Sequence, residues 1–308
     1  MPIDISIIIP LYNKQDYILD TLKSVVIQDL KNWECIIVDD GSTDTSLEIV
    51  NDFCGTHRGN WKVLSIPNGG QTKARNVGIK AAQGKYLSFL DADDLWVTNK
   101  LSVQFDFLEA NPKIVGVLSS YAIFKSNSRR IRVIRSRSFI EMLHKWANMT
   151  GFGGGLESVG MVRHFRGQPE TLFDENLSTS SGLDFAIRFS QLGEMVLLKN
   201  IGLLYRLSEG QWHTNAEELK ANTSIISEKF SDYFGEYLQA RHHEYFHWIE
   251  VRKHGYFHLL HEVVKDLANL RISRLKMLFW LLYRNIVAFS RGHYSQKFVL
   301  EQLKQITG

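Results

Sequence analysis

Between Lys85 and Trp96 the chain changes character within a few residues. The run Tyr86-Leu-Ser-Phe-Leu90 is aromatic and aliphatic, and it stops at Asp91-Ala-Asp93-Asp94, which sets three carboxylates within four positions. Inside a strand those acids would carry a large desolvation cost, so they belong just past its C-terminal end. In an open α/β sheet that edge is where ligands bind. Carboxylates two apart at a strand end can share a hard divalent cation. A Mg2+ or Mn2+ held by one or two acids typically also takes substrate phosphates. The bland alternative is a helix start, with Asp93 or Asp94 as its N-cap.

The stretches before it repeat the same plan. Ile5-Ser-Ile-Ile-Ile9 is a β-branched run closed by Pro10-Leu-Tyr12-Asn13, and Ile18, Leu22, Val25 and Val26 then mark one face of a helix. Glu34 to Val38 is a second strand, stopped by Asp39-Asp40-Gly41-Ser42-Thr43-Asp44. Thr43 or Asp44 is the expected N-cap of the next helix. Val63–Ile66 is a third strand, Pro67-Asn-Gly-Gly70 its turn, and about 71–82 a third helix. Strand and helix alternating four times within about 110 residues predict a parallel sheet covered on both faces. Both acidic turns then share one open edge.

Further on, a helix is expected over about 98–110, a strand over Ile114–Phe124, and a hairpin turn at Ser126–Ser128 into an antiparallel Ile131–Ile134. Gly151-Phe-Gly-Gly-Gly155 reads as a mobile lid or acceptor loop, and otherwise as a plain surface loop. A short helix over 183–193 and two strands, Met195–Leu198 and Gly202–Tyr205, follow. From about 215 the pattern is helical.

The 308 residues, 44% hydrophobic and 22% charged, suit a globular chain with ample core. Two cysteines, Cys35 and Cys54, give neither a disulfide framework nor metal spacing, which suits a reducing compartment. The N-terminus has no basic start before a long apolar core, so no signal peptide is expected. No stretch reaches the ~18 apolar residues of a membrane span. The basic stretches 110–140 and 267–300, both without acids, point to phosphates or lipid head groups; with no nucleic-acid-binding fold recognised, nucleic acid is not an expected partner.

Four pieces now combine: Ile7-Ile-Ile-Pro-Leu-Tyr-Asn13, Ile37-Val-Asp-Asp-Gly-Ser-Thr-Asp44, Asn68-Gly-Gly-Gln-Thr-Lys-Ala-Arg-Asn-Val-Gly78 and Phe89-Leu-Asp-Ala-Asp-Asp94. In their order and spacing the chain resembles the inverting glycosyltransferases of family 2, of the bacterial surface-polysaccharide type, which have the GT-A nucleotide-sugar fold. A looser match at Phe173-Asp-Glu175 and Leu183–Arg188 extends the resemblance to about residue 212. It implies an α/β GT-A domain over 1–212, with a mostly parallel central sheet and helices on both faces. Within it the nucleotide-binding half would be about 1–125 and the acceptor half about 126–212. A helical C-terminal region over 213–308 would follow.

Position by position, the resemblance implies that Pro10 and Tyr12 line the base and ribose pocket. Asp40 would accept a hydrogen bond from a uracil-type N–H, and Arg75 would approach the base or diphosphate. Asp91 would hold ribose or a metal water, and Asp93 would ligate the Mn2+ or Mg2+ that bridges the diphosphate. The implied donor is a nucleotide-diphospho-sugar, UDP-linked, and the implied acceptor a saccharide or polyprenol-linked glycan. An inverting transfer needs a carboxylate to take the acceptor proton. The family supplies it from a Glu-Asp pair six residues before an arginine such as Arg188, yet here those positions read Ser181-Gly182. Asp184 is the candidate base, with Glu157, Asp174 and Glu175 as rivals. A helix sets residues 182 and 184 about 200° apart, so Asp184 substitutes only if the helix starts later. A histidine expected two residues after Arg206 is replaced by Ser208, and His213 reads as a surface residue, with metal ligation as the alternative.

The histidines between 242 and 261 lie among aromatics and read as structural, although His243 and His247, and His254, His258 and His261, have a spacing that a metal could use. Leu275, Leu278, Phe279, Leu282, Ile286 and Phe289 recur at helical spacing within the basic segment 271–291. That segment fits an interfacial helix on the inner face of the cytoplasmic membrane, or a packing seam within an oligomer. A nucleotidyltransferase would want a glycine-rich phosphate loop after the first strand, and Pro10–Lys14 is not one. The alternative function is a nucleotide-sugar-binding module that lost catalysis, kept open by Ser181-Gly182 and Ser208.

Overall fold

The structure is a computed structural model that describes residues 2–125, 131–136, 139, 156–177, 181–207, 225–226 and 228–230. Three strand–helix units come first: β1 (Ile5–Leu11), α1 (Ile18–Val26), β2 (Trp33–Asp39), α2 (Ser46–Thr56), β3 (Trp61–Ser65) and α3 (Gln71–Ala81). Then come β4 (Tyr86–Phe89), β5 (Leu95–Trp96), α4 (Lys100–Ala110), β6 (Ile114–Phe124) and β7 (Ile131–Ile134). A short helix α5 (Leu156–Val159), β8 (Gly160–Arg163), α6 (Ser181–Ser190) and β9 (Glu194–Arg206) complete the described elements.

Among the described residues the strands form one sheet in the order β3-β2-β1-β4-β8-β6-β9-β5, with β7 paired to β6. The first four strands in that order are parallel, as the alternation predicts. The rest is mixed: β8 runs antiparallel to both β4 and β6, β9 parallel to β6, and β5 antiparallel to β9. β1 and β2 have no exposed residue, which is why both are predominantly apolar, with Ser6 and Glu34 hydrogen-bonded to each other where the runs are interrupted. Ile8, Ile36, Val38, Leu87 and Phe89 point to one face. There they pack against Ala74 and Ile79 of α3 and Phe185 and Phe189 of α6. By strand alternation Ile7, Ile9, Cys35 and Ile37 face the other way, and all four are buried.

Several boundaries differ from the sequence expectation. The second helix is capped two or one residues later than predicted: it begins at Ser46, with Thr45 at the N-cap position, while Asp44 Oδ1 accepts the Ser46 N–H at 2.9 Å. The two strands expected at 195–198 and 202–205 are one strand, β9. Its register against β6 shifts between Leu198 and Ile201, and such an irregularity hides the continuity from a period-2 reading. β5 and β8 are too short to give a periodic signal. The helix expected over 183–193 spans Ser181–Ser190. The turn at 126–128, the glycine loop 151–155, Ser208, His213, the histidines of 242–261 and the segment 271–291 lie outside the described residues.

Candidate active site

Three loops leave the C-terminal ends of β1, β2 and β4 side by side. The first two are laced together by Asn13, which adopts a left-handed backbone (φ 49°). Its Oδ1 accepts the Thr43 N–H at 2.8 Å, while its own N–H donates to Ser42 Oγ at 3.1 Å. Lys14 N–H donates to Ser46 Oγ at 2.7 Å. Pro10 sits buried within β1, where the pairing with β4 has already ended at Ile8–Phe89, so its missing N–H leaves no gap in that ladder. Tyr12 stands beyond it with 46% of its surface exposed.

Asp40 is buried and ties down the loop before α3. Its two carboxylate oxygens accept the N–H groups of Gly69 and Gly70, each at 2.8 Å, and Asn68 Nδ2 donates to its carbonyl at 3.0 Å. A carboxylate on the first N–H groups of a helix is favourable. The close approach needs Gly41, whose φ of 73° suits glycine and where a Cβ would meet Asn68 N at 3.1 Å.

The acidic turn after β4 distributes its three carboxylates to different partners. Asp91 Oδ1 takes Arg75 Nη2 at 2.6 Å. Arg75 is itself buried, its guanidinium 5.4 Å from the centre of the Phe173 ring. Asp93 Oδ2 takes Lys14 Nζ at 2.6 Å. Asp94 is fully buried; its Oδ1 accepts the Arg206 N–H at 2.9 Å and its Oδ2 finds no hydrogen-bond partner. Burial, followed by the charges of Asp93 and Asp91, pushes the Asp94 carboxyl well above the usual range. Burial and the same three acids push the Tyr205 phenol up as well.

The turn's backbone is clamped from two sides. Thr21 Oγ1 lies 3.0 Å from Ala92 O and 2.9 Å from Asp94 O. Arg206 Nε donates to Asp93 O at 2.9 Å, and its Nη2 donates to Asp20 at 3.2 Å. Excess negative charge, oxygen-only donors and an orphaned buried carboxylate oxygen fit a hard divalent cation. Among the described residues no group of three or more His, Cys, Asp or Glu could hold a metal, so protein ligands would supply only part of its shell.

Asp184 is entirely buried in the first turn of α6. Arg188 Nε and Nη2 both lie 2.8 Å from its Oδ2, and Nη2 also donates to Leu172 O at 2.7 Å. The helix starts at Ser181, so the later start that would re-aim Asp184 does not occur. Ser181 Oγ lies 3.4 Å from Thr72 Oγ1 on α3. One turn further along α3, Asn76 Nδ2 donates to Glu175 Oε1 at 2.8 Å, and the Asn76 Oδ1 accepts the Phe173 N–H at 2.8 Å. Glu175 is exposed. Asp174 is half-buried and accepts both N–H groups offered by Asn176. The side chain of Glu157 lies outside the described residues. The sequence reading assigned no role to Lys14, Thr21, Asn76 or Arg206, because each acts on a residue far away in the chain.

The model of the family described as "Glycosyl transferase family 2" matches residues 6–176, more than half of the chain. The chain belongs to glycosyl transferase family 2. This glycosyltransferase is 41% identical over 124 residues to an Escherichia coli protein, "UDP-Glc:alpha-D-GlcNAc-diphosphoundecaprenol beta-1,3-glucosyltransferase WfaP", covering 39% of this chain and 47% of that one. A Haemophilus influenzae glycosyltransferase is 36% identical over 143 residues, covering 46% of this chain and 56% of that one. The chain thus spans about half, or much less, of the curated relatives it matches, down to 19% of a Rickettsia conorii glycosyltransferase. In fold it matches S. aureus TarS 1-349 in complex with UDP-GlcNAc, with TM-score 0.61 and 22% identity over 78% of this chain and 72% of that one. The family 2 domain therefore has the GT-A architecture.

Proposed function

We propose that this family 2 glycosyltransferase moves a sugar from a UDP-linked donor, with inversion, onto a saccharide or polyprenol-linked glycan. The observation that carries the reading is the meeting of Asp40, Arg75, Asp91 and Asp93 at one sheet edge, beside the exposed ring of Tyr12. Tyr12 stacks on the base above Pro10, and Asp40 fixes the glycine loop that faces the base edge. Arg75, held by Asp91, sets a positive charge toward the diphosphate, and Asp91, its side chain 23% exposed, faces the ribose. Asp93, with the neighbouring acids, would hold a Mn2+ or Mg2+, which when bound supplies counter-charge to the departing diphosphate. TarS bound to UDP-GlcNAc and GalNAc-T7 bound to UDP and Mn2+ share the fold, and WfaP is named for a UDP-sugar and a polyprenol-linked acceptor.

In the transfer, the acceptor oxygen attacks C1 while the C1–O bond to the diphosphate breaks and its electron pair leaves with UDP. The hydroxyl proton passes to a carboxylate. Asp184, the candidate by spacing, is buried beneath Arg188. Glu175 is exposed, and it sits one α3 turn from Ser181, where the family keeps its acid pair. Glu175 is therefore the proposed base, and Asp184 a residue that positions α6.

A second reading, a donor-binding module without turnover, is favoured by Ser181-Gly182 and Ser208. Two further parts of the proposal rest on sequence pattern: a division near residue 212, and contact of 271–291 with a membrane surface from the cytoplasmic side. No helix among the described residues is long and apolar enough to cross a membrane.

Asp93→Ala tests the core of the proposal. Its turn backbone is clamped by Thr21 and Arg206, so the fold should stand while Mn2+-dependent binding of UDP disappears. Calorimetry showing undiminished Mn2+-dependent binding would remove Asp93 from the site.

A further inference from the structure

We propose that Lys14 is an exchangeable counter-ion. It neutralises Asp93 while the donor site is empty, and it moves onto the donor's diphosphate when a divalent cation takes its place. The inference rests on the donor-site reading above and adds a residue that the reading does not use.

Lys14 is anchored by its backbone and loose at its tip. Its N–H donates to Ser46 Oγ at 2.7 Å, and its carbonyl accepts the N–H groups of Tyr17 and Ile18, both at 2.9 Å. Those bonds hold its Cα at the start of α1, next to Asn13 and two residues from Tyr12. The side chain is 29% exposed, yet its ammonium lies 2.6 Å from the carboxylate of Asp93, whose side chain is 5% exposed. The other two cations near the turn are held differently. Arg75 is buried and paired with Asp91, and Arg206 is spread over Asp93 O and Asp20 while sandwiched near the rings of Tyr17 and Phe124. Moving either arginine would open buried packing. Moving Lys14 requires only side-chain rotation in a half-exposed position, at the small cost of a partly solvated ion pair.

Charge decides the direction of exchange. A divalent cation attracts the Asp93 carboxylate with twice the charge of an ammonium, so the ion displaces Lys14 from Asp93. The tethered amine stays within one side-chain length of Asp93. A diphosphate bound to the same cation brings two or more negative charges into that radius, and the amine pairs with them. Lysine suits this exchange because its ammonium is a compact point charge on a flexible stem, whereas arginine favours a fixed fork.

The test uses the full chain and the variants Lys14→Met and Lys14→Gln. Binding of Mn2+ alone is followed by electron paramagnetic resonance, and binding of UDP and uridine by calorimetry at saturating Mn2+. Removing the competing ammonium should tighten Mn2+ binding in the absence of nucleotide by about tenfold, the scale of one partly buried ion pair. UDP binding should weaken by about the same factor, and uridine binding should not change. Equal Mn2+ affinity in wild type and both variants overturns the exchange. Parallel loss of UDP and uridine overturns it as well, because Lys14 would then only brace the Tyr12 loop. If wild type binds neither Mn2+ nor UDP, the donor-site reading itself falls, which is a different result from either of these.

Discussion

Replacing Asp184 by asparagine separates a positioning role from a chemical one. Asp184 has no exposed surface, and Arg188, 14% exposed, meets it through two nitrogens. Removing one partner of a buried ion pair costs about 3–5 kcal/mol, because the other charge stays behind without its mate. Here Arg188 keeps its bond to Leu172 O and a little solvent, so the low end applies, about 3 kcal/mol. For a domain of roughly 200 residues that lowers Tm by about 6–12 °C. Thermal and urea unfolding of the full chain would measure it, with the double variant Asp184→Leu/Arg188→Met recovering most of the loss, as paired removal of buried charges does. Turnover measured well below the lowered Tm should fall only modestly. Glu175→Gln should do the reverse, leaving Tm and donor affinity in place and lowering transfer about 10²-fold or more. Should Asp184→Asn keep the wild-type Tm and lose transfer, Asp184 touches the acceptor and Glu175 is the wrong carboxylate.

Two further expectations concern other parts of the chain. Lys100 is buried, with Ser88 Oγ at 2.8 Å, Gln104 Oε1 at 2.9 Å and the Trp96 ring centre at 4.0 Å, and burial pushes its amine well below the usual lysine range. Between the folded and unfolded pKa the unfolded chain binds more protons, so this group's contribution is fully present above the unfolded value of about 10.4 and is lost as pH falls toward the folded one. Urea titrations over the alkaline range should show wild-type stability rising relative to Lys100→Met, and parallel pH curves would refute the burial argument. For the segment 271–291, the full chain should co-sediment with anionic liposomes at low salt, and glutamine at Arg271, Arg274, Lys276, Arg284 and Arg291 should release it. Each base near such a surface contributes about 1 kcal/mol; a wild-type chain that ignores the vesicles makes the segment a packing element.

What the amino-acid sequence determines by itself is local and periodic. Mostly apolar runs at 5–9, 34–38 and 86–90, each closed by turn or acidic residues, specify buried parallel strands and put Tyr12, Asp40, Asp91 and Asp93 at one edge. That much follows because several clustered carboxylates inside a strand would carry a large desolvation cost, whereas a single buried acid such as Glu34 of β2 is held by the Ser6 hydroxyl and the Gln83 N–H. Tertiary structure alone decides who partners those side chains. Lys14 reaches Asp93 across 79 residues, Arg206 reaches Asp94 across 112, and β8 enters between β4 and β6 from a distant part of the chain. No pattern within a turn or two of sequence encodes those meetings. They come from strand register and from the packing of α1 and β9 against the acidic turn. The i,i+4 spacing allows Asp184 to pair with Arg188, but only the packing of α6 decides that Asp184 is buried while Glu175 stays in the open.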